Sequence, residues 1–243
     1  MVEKIFKSPF FYILTGIYII AGYHVLTFGN QAGAFFLSED HYFENVGAIT
    51  FFLASLIYFY GFWKLRLIKS TDKLFVLKKL AFLGLAFLFF FAAGEEISWG
   101  QRIFHIQTPE SLSQVNNQDE ITVHNIPIAI AGHEIAFETM FDMLWLFLTV
   151  IIPFSSMYRP ARQIINRLLP ISHWGVGVLF FLNYLWAKAA KLLYVDKYVF
   201  NLVSLPFVQA VQEVKESNYS LLFAFAALFS VFNLLYSELD SHQ

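Results

Sequence analysis

The sequence predicts an all-α membrane protein, a polytopic bundle of about six transmembrane helices in one integral membrane domain over residues 1–243. The first observation is composition: mean hydropathy is +0.57 and charged residues make up 14% of the chain, against roughly 25% in soluble domains. The second is that six apolar segments approach the ~20 residues that a helix needs to cross a bilayer. The 30 phenylalanines present more apolar surface than a soluble core of this size can bury, whereas lipid covers it.

The predicted spans follow one another along the chain. They are Phe10–Gly29, Val46–Trp63, Leu80–Phe104, Phe137–Phe154, Ile171–Val195 and Asn218–Tyr236. Lys4 and Lys7 precede the first apolar run, which has no convincing small-residue cleavage site. We therefore expect an uncleaved first span rather than a signal peptide.

Basic residues are distributed unequally between the two sides of the predicted bundle. If the loops alternate between the sides, 11 of the 16 lysines and arginines lie on the side of the termini. These are Lys4, Lys7, Lys64, Arg66, Lys69, Lys73, Lys78, Lys79, Arg159, Arg162 and Arg167. Because cytoplasmic loops carry an excess of Lys and Arg, we expect both termini in the cytoplasm. Of the 18 acids, only Glu3, Asp72, Glu238 and Asp240 share that side, so we expect a polar site facing the extracytoplasmic side.

A polar block follows the apolar run Leu80 to Ala93 at the end of the third predicted span. Its members are Glu95, Glu96, Ser98, Trp99, Gln101 and Arg102. If the helix continues through the block, Glu95, Trp99 and Arg102 share one face. An ion pair between Glu95 and Arg102, with Trp99 in the interfacial aromatic belt, is one interpretation. It leaves Glu96, Ser98 and Gln101 unexplained, and ionisable residues at membrane depth indicate a functional site.

The loop from His105 to His133 is the longest between spans, and loops of this length are usually functional or disordered. Apolar residues are interleaved with its polar ones, which favours a folded cap on the membrane surface. His124 and Asn125 lie between apolar neighbours and are site candidates, although backbone groups could also satisfy such a histidine.

Acids continue into the fourth and last spans. Glu134, Glu138 and Asp142 repeat every four residues, and the H-E-x-x-H zinc motif is excluded because Phe137 stands at the second His position. Asp142 lies deepest and should face the protein interior. Glu213 and Glu216 end the stretch 196–217, which we interpret as an interfacial segment broken by Pro206; a solvated surface face is the alternative.

The block Glu95-Glu96-Ile97-Ser98-Trp99-Gly100-Gln101-Arg102, followed by Thr108-Pro109-Glu110, Glu120 and His124-Asn125, resembles a family of multi-pass bacterial membrane proteins with no known activity. The resemblance implies a location in the bacterial inner membrane. It implies no substrate.

Three classes of function fit these residues. The first is a membrane-embedded hydrolase or transferase acting on a lipid or lipid-linked substrate. Its candidate catalytic residues are Glu95, Glu96, Arg102 and His124, its candidate divalent-metal ligands are Glu96, His124 and Glu213, and further polar site residues are Ser98, Gln101, Asn125, Glu138, Asp142 and Glu216. Carboxylate and imidazole are the ligands available to a chain without Cys, and Arg102 could hold a phosphate or carboxylate bidentately.

The other two classes are a non-catalytic subunit that binds a membrane-protein partner and an ion- or proton-coupled transporter. A transport pathway needs polar residues through the inner half of the bundle, where the third and fourth spans have few. The net charge is −2 and the sequence has no nucleic-acid-binding motif. Both observations argue against nucleic-acid binding, and both are compatible with all three membrane functions.

Overall fold

The computed structural model describes residues 8–27, 36, 42–101, 103–113, 121–122, 128–130, 133–135, 137–194 and 207–241. Its helices are α1 (Pro9–His24, extended by a 3-10 turn, Val25–Thr27), α2 (Tyr42–Arg66), α3 (Lys73–Glu96), α4 (Glu110–Ser113), α5 (Phe137–Trp145), α6 (Ile152–Ser155), α7 (Arg159–Leu168), α8 (Trp174–Tyr194) and α9 (Phe207–Ser241). A π-helical segment, Leu146–Ile151, joins α5 to α6. Two strands, β1 (Ile128–Ile130) and β2 (His133–Ile135), form a small antiparallel hairpin.

The predicted helical membrane fold is confirmed in outline. Within the described residues, four helical stretches are long and apolar enough to cross a membrane: Pro9–Thr27, Tyr42–Arg66, Lys73–Glu96 and Ala210–Leu235. The fourth predicted span corresponds to a shorter apolar helix, Thr139–Ser155. The fifth corresponds to the 21-residue α8, and the number six stays a prediction.

Two predicted boundaries are wrong. Helix α3 ends at Glu96 instead of continuing to Phe104, because the polar block turns back on itself. Helix α9 begins at Phe207, eleven residues before the predicted start at Asn218. From Phe207 onward, the segment that we interpreted as interfacial therefore forms the first three turns of the longest described helix.

Helix α9 is the centre of the bundle. In its membrane-length stretch 67% of the residues are buried, against 17% in α3. Phe223 lies fully buried at its middle, with ring centroids 4.8 Å from Phe180 and 4.9 Å from Phe89. It also packs on Phe51 and Phe141, so one aromatic ring joins α9 to α2, α3, α5 and α8. Aromatic clusters of this kind bury a large area and fix the helices relative to one another.

The π-helical segment has a local cause. Pro153 has no backbone N–H, so the carbonyl of Thr149 loses the donor that an α-helix would supply. The segment widens just before this proline, and the Thr149 carbonyl faces Gly177 on α8. A Cβ atom at position 177 would lie 2.5 Å from the Thr149 oxygen. Glycine there lets α8 approach the irregular backbone closely.

Candidate functional site

The polar block forms a left-handed turn directly after α3. Ser98, Trp99 and Gly100 have φ values of 46°, 53° and 75°, a conformation that is uncommon for residues other than glycine. The turn folds Trp99 back over the helix, where its indole N–H donates a 2.6 Å hydrogen bond to Glu95 Oε1. Its ring occupies the space beside Gly94, where a Cβ atom would lie 2.8 Å from the ring. The block therefore holds the buried Glu95 carboxylate in one place.

Gln101 connects this turn to the outer loop. Its side-chain amide donates to Thr108 Oγ1 at 2.7 Å, and its carbonyl oxygen accepts from the backbone N–H of Ile121 at 2.6 Å. Gln101 thus positions the loop and does not line the cavity described below. Ser98, another predicted site residue, is buried in the turn.

Glu96 points toward α2. Its carboxylate lies beside Gly47, so closely that a Cβ atom at position 47 would be 2.7 Å from Glu96 Oε2. Other acids lie within electrostatic range of this carboxylate. They are Glu216, Glu213, Glu44 and Glu95. The start of α2, the end of α3 and the first turns of α9 therefore bring their acids to the same end of the bundle.

Three of these carboxylates line one cavity of about 80 Å³, which is large enough for several water molecules or a small polar group. Its polar lining consists of Glu95, Glu96, Gln212, Glu216 and Tyr219, and its apolar lining of Phe51, Leu88, Phe91, Ala92 and Phe141. A cavity with one polar side and aromatic walls matches an amphiphilic ligand better than a ligand that is polar on all sides.

Gln212 gives this cavity a hydrogen-bonding preference. Its amide nitrogen donates a 2.7 Å hydrogen bond to Glu216 Oε1, which fixes the orientation of the amide. Its buried carbonyl oxygen has no hydrogen-bond partner within the described residues. Together with the carboxylates, it makes the cavity rich in acceptors, and a buried unsatisfied acceptor favours a ligand that brings N–H or O–H groups.

A second polar cluster lies beside the cavity and shares Tyr219 with it. Asp142 Oδ1 accepts hydrogen bonds from the Tyr219 hydroxyl at 2.8 Å and from the Trp145 indole at 3.0 Å. Asp142 Oδ2 forms an ion pair at 3.4 Å with Lys215, whose side chain is only 2% exposed. The Lys215 ammonium also lies over the rings of Tyr184 and Tyr219, which stabilise a buried cation.

Asn183 ties this cluster to the first helix. Its side-chain oxygen accepts from the Tyr23 hydroxyl at 2.8 Å and from the Asn218 amide at 3.0 Å. Its own amide donates to the Lys215 carbonyl at 3.0 Å. Helices α1, α8 and α9 are thereby held in register next to the acidic cavity.

The predicted site residues fall into three groups: those at or near the acidic cavity, those that build the turn after α3, and those outside the described residues. Glu95, Glu96 and Glu216 meet at the cavity, Glu213 lies near Glu96, and Asp142 belongs to the neighbouring ion-pair cluster. Ser98 and Gln101 build the turn and anchor the loop. The remaining residues cannot be placed: Arg102, His124 and Asn125 lie outside the described residues, as does the side chain of Glu138 on α5.

The metal prediction finds no support in the described part of the chain, which contains no group of three or more His, Cys, Asp or Glu side chains suited to a metal ion. Glu96 and Glu213 are described and His124 is not, so the predicted ligand set is only partly covered.

Sequence reasoning missed Gln212, Tyr219, Lys215 and Gly47. Gln212 and Lys215 lie in the stretch 196–217, which was interpreted as an interfacial segment, and Tyr219 lies at the start of the predicted last span. Gln212, Glu216 and Tyr219 are spaced i, i+4 and i+7, the signature of one helical face, and a helix beginning after Pro206 would have revealed it. Gly47 has no sequence signal beyond being a glycine in an apolar helix.

These features define a helical membrane protein with an acid-lined cavity at one end of its bundle. No protein-family model, curated protein or solved structure matches the chain. The resemblance carried by the polar block stays a prediction, and the function has to be argued from the cavity.

Proposed function

We propose that this chain is a membrane-embedded hydrolase or transferase whose acidic cavity binds the polar group of a lipid or lipid-linked substrate. The observation that carries the proposal is the convergence of Glu95, Glu96 and Glu216 on an aromatic-walled cavity. The Gln212 oxygen, which has no partner among the described residues, lies in the same lining. Acceptors at one side match the hydroxyl or amino hydrogens of a lipid head group. The aromatic walls match the start of its acyl chain.

Glu96 and Glu216 are the acid–base pair in this proposal. One carboxylate takes a proton from water or from an acceptor hydroxyl, whose oxygen attacks the carbonyl or phosphoryl centre of the substrate. The other, in its protonated form, gives a proton to the departing alcohol oxygen. Glu95 is held by Trp99 and orients the substrate. Neighbouring carboxylates repel each other, and a shared proton or a bound cation relieves that repulsion.

Arg102 and His124, which the sequence predicts as site residues, complete the proposed site. Arg102 would bind a phosphate or carboxylate of the substrate. In the metal-dependent form of the proposal, a divalent ion would be held by Glu96, His124 and Glu213, and would activate the attacking water. The bonds from Gln101 to Thr108 and Ile121 support an outer loop that folds over this end as a cap.

The proposed topology has six spans, with both termini in the cytoplasm of a bacterial cell and the acidic cavity on the extracytoplasmic side of the inner membrane. The concentration of Lys and Arg around the loop from Arg66 to Lys73 supports this orientation. The chain has no Cys, so single cysteines can be labelled with an impermeant thiol reagent. Ser111→Cys should label in intact cells and Ser70→Cys only after lysis; the reverse pattern would invert the topology.

The enzymatic proposal is tested with the purified protein in nanodiscs containing lipids extracted from its native membrane. Mass spectrometry should detect a lipid that is consumed over time and a product that appears with it. Glu96→Gln and Glu216→Gln should each abolish turnover. Glu110→Gln removes an exposed acid that does not line the cavity and should leave turnover unchanged. Equal turnover in all four proteins, or none in the wild type, would contradict the proposal.

The ion- or proton-coupled transporter is a second candidate because polar contacts continue inward between α2 and α9. Thr50 and Ser220 hydroxyls are 2.5 Å apart, and Tyr58 lies in contact with Ser230 further along. Proton or cation flux into liposomes that vanishes in Glu96→Gln and in Thr50→Val would favour this candidate. A non-catalytic subunit would instead purify with a stoichiometric membrane-protein partner.

A further inference from the structure

A second and larger cavity lies at the opposite end of the bundle from the acids. Its volume is about 330 Å³. It is lined by the side chains of Lys78, Arg162, Asn166, Ser156, Ser230 and Asn233 together with Phe82, Leu169, Pro170, Ile171 and Leu234. Two of these residues are cationic and none is acidic. The cavity thus combines positive charge, polar hydrogen-bonding groups and an apolar floor.

Two of the three arginines on α7, Arg162 and Arg167, have different roles. Arg167 donates to Asp72 Oδ2 through Nη2 at 2.6 Å and through Nε at 3.2 Å, so its charge is neutralised by an acid that caps α3. Arg162 lines the cavity, and its Nε donates to the Ser156 carbonyl at 2.6 Å. Within the described residues its terminal amino groups have no partner. The Arg167 pair therefore anchors α7, whereas Arg162 is held by one nitrogen with its outer edge available.

Lys78 stands across the cavity from α7. Its ammonium group donates one hydrogen to the carbonyl of Asn166 at 2.8 Å, which holds the charge beside the arginine-bearing helix. A guanidinium binds phosphate oxygens in a bidentate geometry, and an ammonium adds a compact point charge. Together they provide the chemistry of a phosphate site.

Helix α7, which contributes to the lining of the cavity, has the features of a membrane-interface helix. Helix α7 packs Ile165 against the core while Ile164 is 56% exposed and Tyr158, directly before the helix, is 69% exposed. A short helix with apolar residues outward and several arginines is typical of the membrane interface. Exposed tyrosine is enriched at the same level.

We propose that this cavity binds the phosphate group of an anionic phospholipid, with Arg162 and Lys78 as its ligands. Basic pockets between helices at a membrane surface suit anionic head groups because the surface brings the ligand at high local concentration. The site is independent of the acidic cavity and of any reaction there.

The test uses the full-length protein in nanodiscs of phosphatidylcholine, with and without phosphatidylglycerol, and measures the melting temperature and the lipids retained in native mass spectra. Phosphatidylglycerol should raise the melting temperature of the wild type, because a ligand that binds the folded state stabilises it. Arg162→Gln and Lys78→Gln should each weaken retention of this lipid about ten-fold, as expected for the loss of a charged hydrogen-bonding partner.

Arg159→Gln is the matched control, because it removes the same charge from the same helix without touching the cavity, and it should retain the lipid like the wild type. Arg162→Lys keeps the charge but loses the bidentate geometry. It should retain the lipid less well than the wild type and better than Arg162→Gln. Inorganic phosphate at millimolar concentration in phosphatidylcholine nanodiscs should have no effect; full stabilisation by it would identify free phosphate as the ligand and overturn the lipid assignment. Equal lipid retention in Arg162→Gln, Lys78→Gln and Arg159→Gln would overturn the site itself.

Discussion

Gly47 on α2 faces the carboxylate of Glu96 on α3 with no room for a side chain, since a Cβ atom there would be 2.7 Å from Glu96 Oε2. The clash involves the end of a flexible side chain, which can swing away. Gly47→Ala should therefore move the Glu96 carboxylate out of place. The melting temperature should change little, because alanine favours a helix by about 1 kcal/mol over glycine and this gain offsets the cost of the clash. Lipid turnover should fall sharply, toward the level of Glu96→Gln.

Gly84 is the matched control for this variant. It lies in α3, and a Cβ atom there meets nothing within 4 Å, so Gly84→Ala should keep full turnover. Unchanged turnover in Gly47→Ala, with correct folding, would show that the position of Glu96 beside α2 does not matter.

Trp99 should contribute to stability through its bond to Glu95. Trp99→Phe keeps a ring against Gly94 but removes the indole donor, and losing a hydrogen bond to a buried charged group costs about 1–2 kcal/mol. Trp63, which is exposed on α2 and lies against Arg66, serves as the comparison, and Trp63→Phe should have a smaller effect. Denaturant unfolding in detergent measures both, and equal effects would argue against a specific role for the Trp99–Glu95 bond.

Asp142 and Lys215 should behave as a coupled pair. Breaking a buried ion pair by removing one partner leaves the other charge uncompensated, which costs about 3 kcal/mol. Asp142→Asn and Lys215→Met should each be strongly destabilising. The double variant should lose clearly less stability than the sum of the two, with a coupling above ~0.5 kcal/mol. Strict additivity in this double-mutant cycle would mean that the 3.4 Å contact is not an energetic one.

Asp72 lies at the end of the bundle away from the acidic cavity, and its pairing with Arg167 should make the free energy of unfolding depend on pH. The hydrogen bond from Arg167 lowers the pKa of Asp72 below its ordinary value, partly opposed by desolvation and helped by the N–H of Leu74. A carboxyl whose pKa is lowered by folding stabilises the protein above its unfolded pKa of about 3.9. That contribution is lost as the pH falls through the folded value.

The comparison is with Asp72→Asn, which keeps an acceptor for the Leu74 N–H. The melting temperature of the wild type should exceed that of the variant at pH 7, and the difference should shrink as the pH falls below the unfolded pKa of about 3.9 and at high salt. A difference that stays constant with pH would assign the effect to helix capping alone.

Much of the fold could be predicted because lipid imposes one simple rule, that a spanning segment must be apolar and helical. The long runs around Phe51 and Phe89 satisfy it without ambiguity. The end of α3 could not be predicted, because Ser98 and Trp99 adopt a left-handed conformation that their residue types do not signal. Contacts of the folded-back indole with Gly94, Glu95 and Phe91 help to stabilise it.

The start of α9 was missed for a different reason. Pro206, and the acids Glu213 and Glu216 just before the apolar run, favoured an interfacial segment that ends before the last span. Here Lys215 and Asn218 are buried because Asp142 and Asn183 on neighbouring helices provide their partners. Such pairings between distant segments are invisible in a single sequence. They also explain why the acids of α3 could be identified as a candidate site but Gln212 and Tyr219 could not.

The most direct measurement is a cryo-EM map of the protein in nanodiscs made from its native membrane lipids. We expect elongated density in the acidic cavity, with a polar end within hydrogen-bonding distance of Glu96, Glu216 and the Gln212 carbonyl oxygen, and an apolar end along Phe51 and Phe141. The same map of Glu216→Gln should show weaker density at that place. An empty cavity in the wild type, or these three side chains pointing to separate places, would contradict the account.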